Sequence, residues 1–415
     1  MEIKQGARKP PAAPNAEGDT LGRRLIRRLS QGDIGSLPVL LGLVLIAIIF
    51  QIANSNFLTP LNLTNLMVQI SAVGTISVGV VLILLLGEID LSVGAVSGFT
   101  SAVMAVLSVK LGLPGVVAIL AGVLSGFAIG LFQGWWITKM RVPSFVVTLA
   151  GSLGWQGALL WVLGSTGTVN LNDAFIVGLA NTRLNLWAGW VIGLLVVIFF
   201  VTNSILQRSR RAKIGLPAQA TAQLLTKTIL ISAVVLAAVA IMSVNRNPRS
   251  SIAIEGVPTA VIILLVIIVL FNFITTRTQY GRSIFAVGGN AEAARRAGIN
   301  VDFVRISVFV FGSTLAAVGG ILAGSRLYAV NQSSGGGDVL LNAIAAAVIG
   351  GTSLFGGRGS TWSALLGALV IGAIANGMDL LAFASSVRFI VTGIVLLLAV
   401  TLDSITRARR EQSGT

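Results

Sequence analysis

Leu66–Leu86 reads LMVQISAVGTISVGVVLILLL, 21 residues without a charge. At about 1.5 Å per residue, such a run is long enough as a helix to cross the roughly 30 Å hydrocarbon core of a bilayer. Gly87-Glu88-Ile89-Asp90-Leu91-Ser92-Val93-Gly94 follows, and then a second apolar run to residue 109. Working outward, comparable runs lie at 37–53, 114–138, 143–163, 187–204, 228–245, 258–275, 304–325, 339–354, 361–383 and 387–403. The expectation is an all-α polytopic membrane protein with about twelve transmembrane helices. The shortest run, 339–354, reads as a crossing, a half-helix or a re-entrant segment.

Composition agrees. Of 415 residues, 55% are hydrophobic and only 10% charged, against about 25% charged in a soluble protein; mean hydropathy is +0.91. With no His and no Cys, Cys/His metal sites, disulfides and Cys or His catalysis are excluded, and neither cofactor nor metal is expected.

The net charge of +15 is a topology signal. If all twelve runs cross and both termini are cytoplasmic, 23 of the 29 Lys and Arg fall on the cytoplasmic side, as the positive-inside rule requires. Spread over short loops, this charge does not point to nucleic acid. The chain divides into a polar, basic cytoplasmic segment (1–36), a transmembrane domain (37–405) and a cytoplasmic tail (406–415). In the first, 21–29 is an orientation anchor or a short helix lying on anionic lipid.

Four motifs carry more than hydropathy. In the first, Gly87, Glu88, Asp90, Ser92 and Gly94 put two carboxylates and two glycines between spans. That is a helix break lining a pathway or bracing a gate, or a tight turn in which Asp90 caps a helix starting at Leu91. In the second, Gly122, Gly126, Gly130 and Gly134 share one helix face and let a neighbouring backbone approach; Gly319, Gly320 and Gly324 repeat the theme. The third runs from Tyr280-Gly281-Arg282 to Gly298. Asn290 can cap a short helix, with Glu292 in its first turn and Gly298 at its end. Ala293 and Ala294 keep that helix slim enough for a partner to approach; a plain surface helix is the other reading. The fourth, 350–360, is glycine-rich but lacks the Gly-Lys of a phosphate-binding loop, so it reads as a flexible break. Breaks at 87–94 and 350–360, one in each half, hint at an internal repeat.

Together these runs resemble permease subunits of bacterial ABC importers for monosaccharides, the ribose/galactose/xylose class. The resemblance covers most of 57–405. It rests on 56–62, on 87–94, on Val142-Pro143-Ser144-Phe145-Val146-Val147-Thr148-Leu149-Ala150-Gly151, on 280–299 and on 348–354. Within that class the chain is most similar to D-xylose-type permeases, with a longer middle (205–257) and Gln133-Gly134-Trp135-Trp136.

The resemblance implies a bacterial inner-membrane location and a pore of two permease chains, a homodimer. It also implies a separate ABC ATPase in the cytoplasm and an extracytoplasmic sugar-binding protein. The Glu292–Gly298 segment matches the family's ATPase-coupling helix, so the chain itself is expected not to be an enzyme. Groups that can line a sugar path are Gln69, Gln133, Trp155, Gln156, Asn342 and Asn376; each can equally bond helix to helix. Rival readings are an ABC permease for another sugar or small solute, an ion-coupled secondary transporter using Glu88 and Asp90, and a passive channel.

Overall fold

A computed structural model describes residues 37–213, 221–247 and 253–413; the basic segment 1–36 lies outside them. Each of the twelve apolar runs coincides with a helix: α1 (Leu37–Ala53), α2 (Pro60–Leu85), α3 (Val93–Val109), α4 (Gly115–Lys139), α5 (Ser144–Leu163), α7 (Leu186–Lys213), α8 (Thr221–Ser243), α9 (Thr259–Arg277), α12 (Val301–Leu327), α13 (Asp338–Ile349), α14 (Thr361–Leu380) and α15 (Ser385–Ser413). Proline sets several starts. Pro60 opens α2 behind the Thr59 cap, and Pro114, Pro143 and Pro258 stand immediately before α4, α5 and α9, where a missing N–H costs nothing.

Among the described residues, eight helices are long and apolar enough to span a bilayer; α1, α3, α13 and the apolar part of α15 are shorter. Among the described residues the fold is all-α apart from one small ladder and an isolated bridge between Arg183 and Pro258. Three connecting helices, α6 (Ala174–Asn181), α10 (Gln279–Gly289) and α11 (Ala291–Arg296), complete it. β1 (Thr168–Asn170) and β2 (Ala329–Asn331) pair antiparallel, with Val169 opposite Val330. α15 runs on past residue 405 to Ser413.

Contacts sort the helix ends into two faces. On the near face, Gly357 N donates to Leu85 O at the end of α2 (2.9 Å), and Lys139, ending α4, pairs with Asp302 at the start of α12 (2.9 Å). On the far face, Asn54 donates to Leu380 O at the end of α14 (3.1 Å). There too Ala180 N reaches Ser325 Oγ (2.9 Å), and Thr259 N reaches Thr182 O (3.0 Å).

α13, at 12 residues, is only about 18 Å long and cannot cross a bilayer alone. The chain ahead of it does the rest. After β2 it dives inward, and Gly335 O sits where a Cβ on Gly94 of α3 would be only 2.6 Å away. Residues 332–349 therefore connect the far face to the near one through consecutive turns and a half-helix. Non-helical backbone at that depth is tolerated only where it is covered by protein or borders a water-filled space; here α3 covers one side of it, at Gly94 and Gly98.

α12 is the central helix, packed on α2, α3 and α4. Added Cβ atoms show why the glycine row is a packing seam. At Gly122 one would stand 2.9 Å from Thr100 O, at Gly126 2.6 Å from Ala317 Cβ, at Gly130 2.5 Å from Phe309 O and at Gly134 2.9 Å from Ile306 Cα. The last three are residues of α12. α7 and α8 pack chiefly on each other and leave most of their apolar surface exposed, as lipid-facing helices do.

Candidate functional site

The three loop motifs, more than 260 residues apart at their extremes, meet at one point on the near face. Gly87 (φ +74°) closes the end of α2, its N–H bonded to Leu84 O (2.8 Å). The glycine-rich loop lies on it: a Cβ on Gly356 would stand 2.9 Å from Gly87 N and 2.6 Å from Gly288 O. Gly288, near the end of α10, rests directly on the Leu85 carbonyl, which also accepts from Gly357 N. Three backbones cross within van der Waals range because none of the three carries a side chain there.

The acidic break is clamped by three helices. Glu88 pairs with Arg305 of α12 (3.2 Å), both side chains largely buried. Asp90, 4% exposed, accepts from Ser92 N (2.7 Å) and Ser92 Oγ (2.6 Å). Gln133 Nε2 of α4 donates to Ser92 Oγ (3.0 Å). From α5, Ser144 Oγ accepts from Ile89 N (3.5 Å) and Thr148 Oγ1 from Leu91 N (3.1 Å).

Capping by Asp90 of a helix starting at Leu91 is corrected here. α3 starts at Val93 with Ser92 at its cap position, because Asp90 uses its acceptor on Ser92 itself. Burial pushes the Asp90 carboxyl above its ordinary range, and the Ser92 hydrogen bonds oppose this. Its second oxygen, Oδ2, has no partner among the described residues, and Asp90 borders a small apolar cavity together with Ile344 of α13. Asp90→Asn keeps an acceptor for Ser92 and relieves the buried charge. It is expected to leave stability within about 1 kcal/mol, whereas Asp90→Leu leaves Ser92 N unpaired and costs about 2 kcal/mol. Thermal unfolding of the purified protein reads both.

The third motif forms as its spacing implies. Asn290 Oδ1 accepts from Ala293 N (2.9 Å) at the start of α11. Gly298 (φ +84°) ends the helix, its N–H bonded to Arg295 O (3.0 Å). Glu292 pairs along the helix with Arg295 (3.2 Å) and Arg296 (3.4 Å), all three exposed. Ala294 is buried and Ala293 faces out, so α11 sits on the core by one small residue and presents the rest. Gly281 packs its backbone on the Ile274 and Thr275 carbonyls, making the sharp turn from α9 into α10; Arg282 next to it is exposed.

The six pathway candidates separate. Gln133 and Trp155 lie together over Gly151, whose added Cβ would be 2.5 Å from Gln133 Nε2 and 3.3 Å from Trp155 Nε1. Gln156 holds the descending segment through Gln332 O (3.1 Å). Asn342 is half-buried on α13. Gln69 and Asn376 belong to the far face, where they border a cavity of about 430 Å³; Asn376 also exchanges hydrogen bonds with Asn62 (2.7 and 3.1 Å). Sequence reading missed Arg305, Ser144 and Thr148. The signal for the last two was a Ser and a Thr four apart on one face of α5 just behind Pro143.

The family described as "Branched-chain amino acid transport system / permease component" matches residues 62–400. The xylose transport system permease protein of Escherichia coli (strain K12) is 37% identical over 353 residues, 85% of this chain and 87% of that one. Its counterpart in Haemophilus influenzae is 36% identical over 373 residues, 89% and 96% of the two chains. The ribose import permease protein of Bacillus subtilis (strain 168) is 31% identical over 372 residues, 90% and 94%. No solved structure matches the chain. The chain belongs to that permease-component family.

Proposed function

From membership of this family we propose that the chain is the membrane-spanning subunit of an ATP-driven, binding-protein-dependent importer in the bacterial inner membrane, carrying a monosaccharide, D-xylose. The sugar assignment follows the relatives named for xylose, which match over most of their length. The chain is not itself the ATPase: no Gly-Lys pair occurs in it, so a partner hydrolyses ATP.

One observation carries the mechanism. The exposed helix α11 follows α10, and α10 meets the end of α2, beside the acidic break, where Gly288 lies on Leu85; in this reading α11 and the break move together. A partner pressing on α11 thereby moves the ends of α2 and α3 and the loop after α13. The near face is cytoplasmic in this reading, since that orientation puts most Lys and Arg inside. All twelve helical segments then cross, α13 doing so with the stretch before it, and both termini are cytoplasmic. The two glycine-rich breaks, which touch each other, are counterparts in an internal repeat. Two copies of the chain form the pore, an ATPase docks on α11 of each, and a sugar-binding protein delivers substrate to the far face. ATP binding pulls on 276–303, and helices rock about the glycine seams, alternating access.

Glu292→Lys tests this. It replaces an acid favoured in the first turn of α11 by a cation and breaks two exposed pairs, each worth under about 1 kcal/mol, so the protein should insert and fold normally. Co-purification with the ATPase and ATP-dependent uptake are expected to be lost. Unchanged uptake would remove α11 as the docking element. Accumulation of sugar by the purified chain alone under an ion gradient would replace this reading with a secondary transporter.

A further inference from the structure

Helix α13 begins in the middle of the bilayer. It is 12 residues long with Asp338 at its first position, so Asp338 stands about 17 Å from its near end, close to the centre of a hydrocarbon core roughly 30 Å thick. Two contacts hold it at that depth. Ala343 O accepts from Ser77 Oγ, within α2 (3.1 Å), and Leu340 N would be 3.4 Å from a Cβ on Gly94 of α3. The turns ahead of α13 are covered on one side, where Ser334 O and Gly335 O lie on Gly98 and Gly94 and Gln156 of α5 holds Gln332 O (3.1 Å). Their other side is bare. Gln332, Ser333, Gly337 and Asp338 are exposed, and among the described residues the N–H groups of Gly335 and Gly337 have no partner. No described cation or hydrogen-bond donor reaches the Asp338 carboxylate.

Lipid cannot meet this side, because unpaired backbone groups are not tolerated against hydrocarbon. The ordinary reason for an acid in the first turn of a helix is the helix dipole. Here that gain offsets only a fraction of what a charge costs at the centre of a bilayer. Direct packing of a second copy does not answer the charge either, since none of the exposed residues of the turns, nor Leu341 beside them, is a cation. Water satisfies both the free N–H groups and the carboxylate. A charge held in water at mid-depth acts on whatever passes it: it repels anions, and it leaves neutral solutes unaffected.

We propose that Asp338 is the charge-selecting residue of the transport path, standing on the wall of a water-filled passage at mid-depth and turning back anionic solutes such as phosphorylated or carboxylated sugars. The inference rests on the transport reading above, in which two copies of the chain form the pore; each copy then places one Asp338 on its own wall. Glu88 does not fill this role, because Arg305 pairs with it.

The chain has no cysteine, so Leu341→Cys gives it a single thiol. Leu341 is 45% exposed and lies one turn from Asp338 on the same helix face. In the assembled importer in vesicles, labelling of this chain by a cationic (trimethylammonium) and an anionic (sulfonate) methanethiosulfonate is timed with and without ATP. Neither reagent dissolves in hydrocarbon. Both are expected to react in at least one state, the cationic one roughly tenfold faster after correction for their rates with a free thiol. Adding Asp338→Asn, which keeps the shape of the side chain and removes its charge, should bring the two rates within about twofold of each other. A purely structural role for Asp338 would leave their ratio unchanged, and that result overturns the inference. So does a thiol that neither charged reagent reaches in either state, or that only a lipid-soluble maleimide labels. Ser333→Cys, on the preceding turn, replaces Leu341→Cys if that variant does not assemble. Failure here with intact ATP-driven uptake leaves the transport reading standing. A charge-dependent ratio in a chain that never associates with an ATPase would sink that reading and leave the acidic passage.

Discussion

Gly288→Ala is expected to be among the most damaging single-atom additions to this protein, because the new methyl would overlap the Leu85 carbonyl and press on Gly357 N. Both obstacles are backbone, and Leu85 O is already held by Gly357 N (2.9 Å), so neither can swing away. Overpacking of this kind costs about 3 kcal/mol at the upper end of its usual range. Relief by lifting α10 off α2 would separate α11 from the acidic break, so uptake should fall even in the protein that remains folded. Gly298 in the same loop provides the contrast. Nothing lies within 4 Å of a Cβ there, but φ is +84°, so Gly298→Ala costs only the left-handed backbone penalty of about 1–2 kcal/mol. Gly298→Asn, which tolerates that conformation better, should recover part of it. Melting temperatures of the detergent-purified variants give the order. Equal losses at 288 and 298 would mean that the glycine crossing is loose and that α10 does not bear on α2.

Much of this fold was legible because a bilayer imposes one dominant rule. An apolar run of about 20 residues must be helical, and Pro60, Pro114, Pro143 and Pro258 mark where helices start. The caps of α11 were legible for a similar reason: Asn290 and Gly298 act on their own neighbours, within reach of sequence spacing. The half-helix was signalled by the shortness of the apolar run before Gly350 and by Gly335-Gly336-Gly337 ahead of it. What spacing could not show was partnership. Nothing local ties Gly87, Gly288 and Gly356; eleven helices, α3 to α13, lie between the first and the last. Among the pathway candidates, a polar or aromatic side chain within or near a span was the common criterion, and it selected two different populations. Gln133 stabilises the break through Ser92, whereas Gln69 faces open space; only the position of the neighbouring helices separates a structural amide from a free one. Arg305 was invisible because an arginine at the start of α12 counts equally well as a topology charge.

Glu88 and Arg305 form the one ion pair, among the described residues, that ties the acidic break to the helix following α11. Its side chains are 17% and 31% exposed, between the surface pairs that contribute less than about 1 kcal/mol and the buried pairs whose rupture costs about 3–5 kcal/mol. Removing either partner, by Glu88→Ala or Arg305→Ala, is expected to cost about 2 kcal/mol, since each leaves a largely buried polar group alone; Arg305 Nε has no partner among the described residues. The double variant should lose about 1–2 kcal/mol less than the sum of the two, the coupling expected of groups in contact. Lys139–Asp302, on the same face but with side chains 51% and 42% exposed, serves as the comparison; its cycle should show under about 1 kcal/mol, falling further as salt screens it. Uptake separates scaffold from link. If the pair transmits movement of α11 to the break, each single variant loses transport relative to ATP hydrolysis in the assembled importer, and the exchange Glu88→Arg with Arg305→Glu restores part of that ratio. Additive losses in stability and an unchanged ratio of uptake to hydrolysis would show that the break and α12 move independently, leaving the glycine crossing as the connection between α11 and the break.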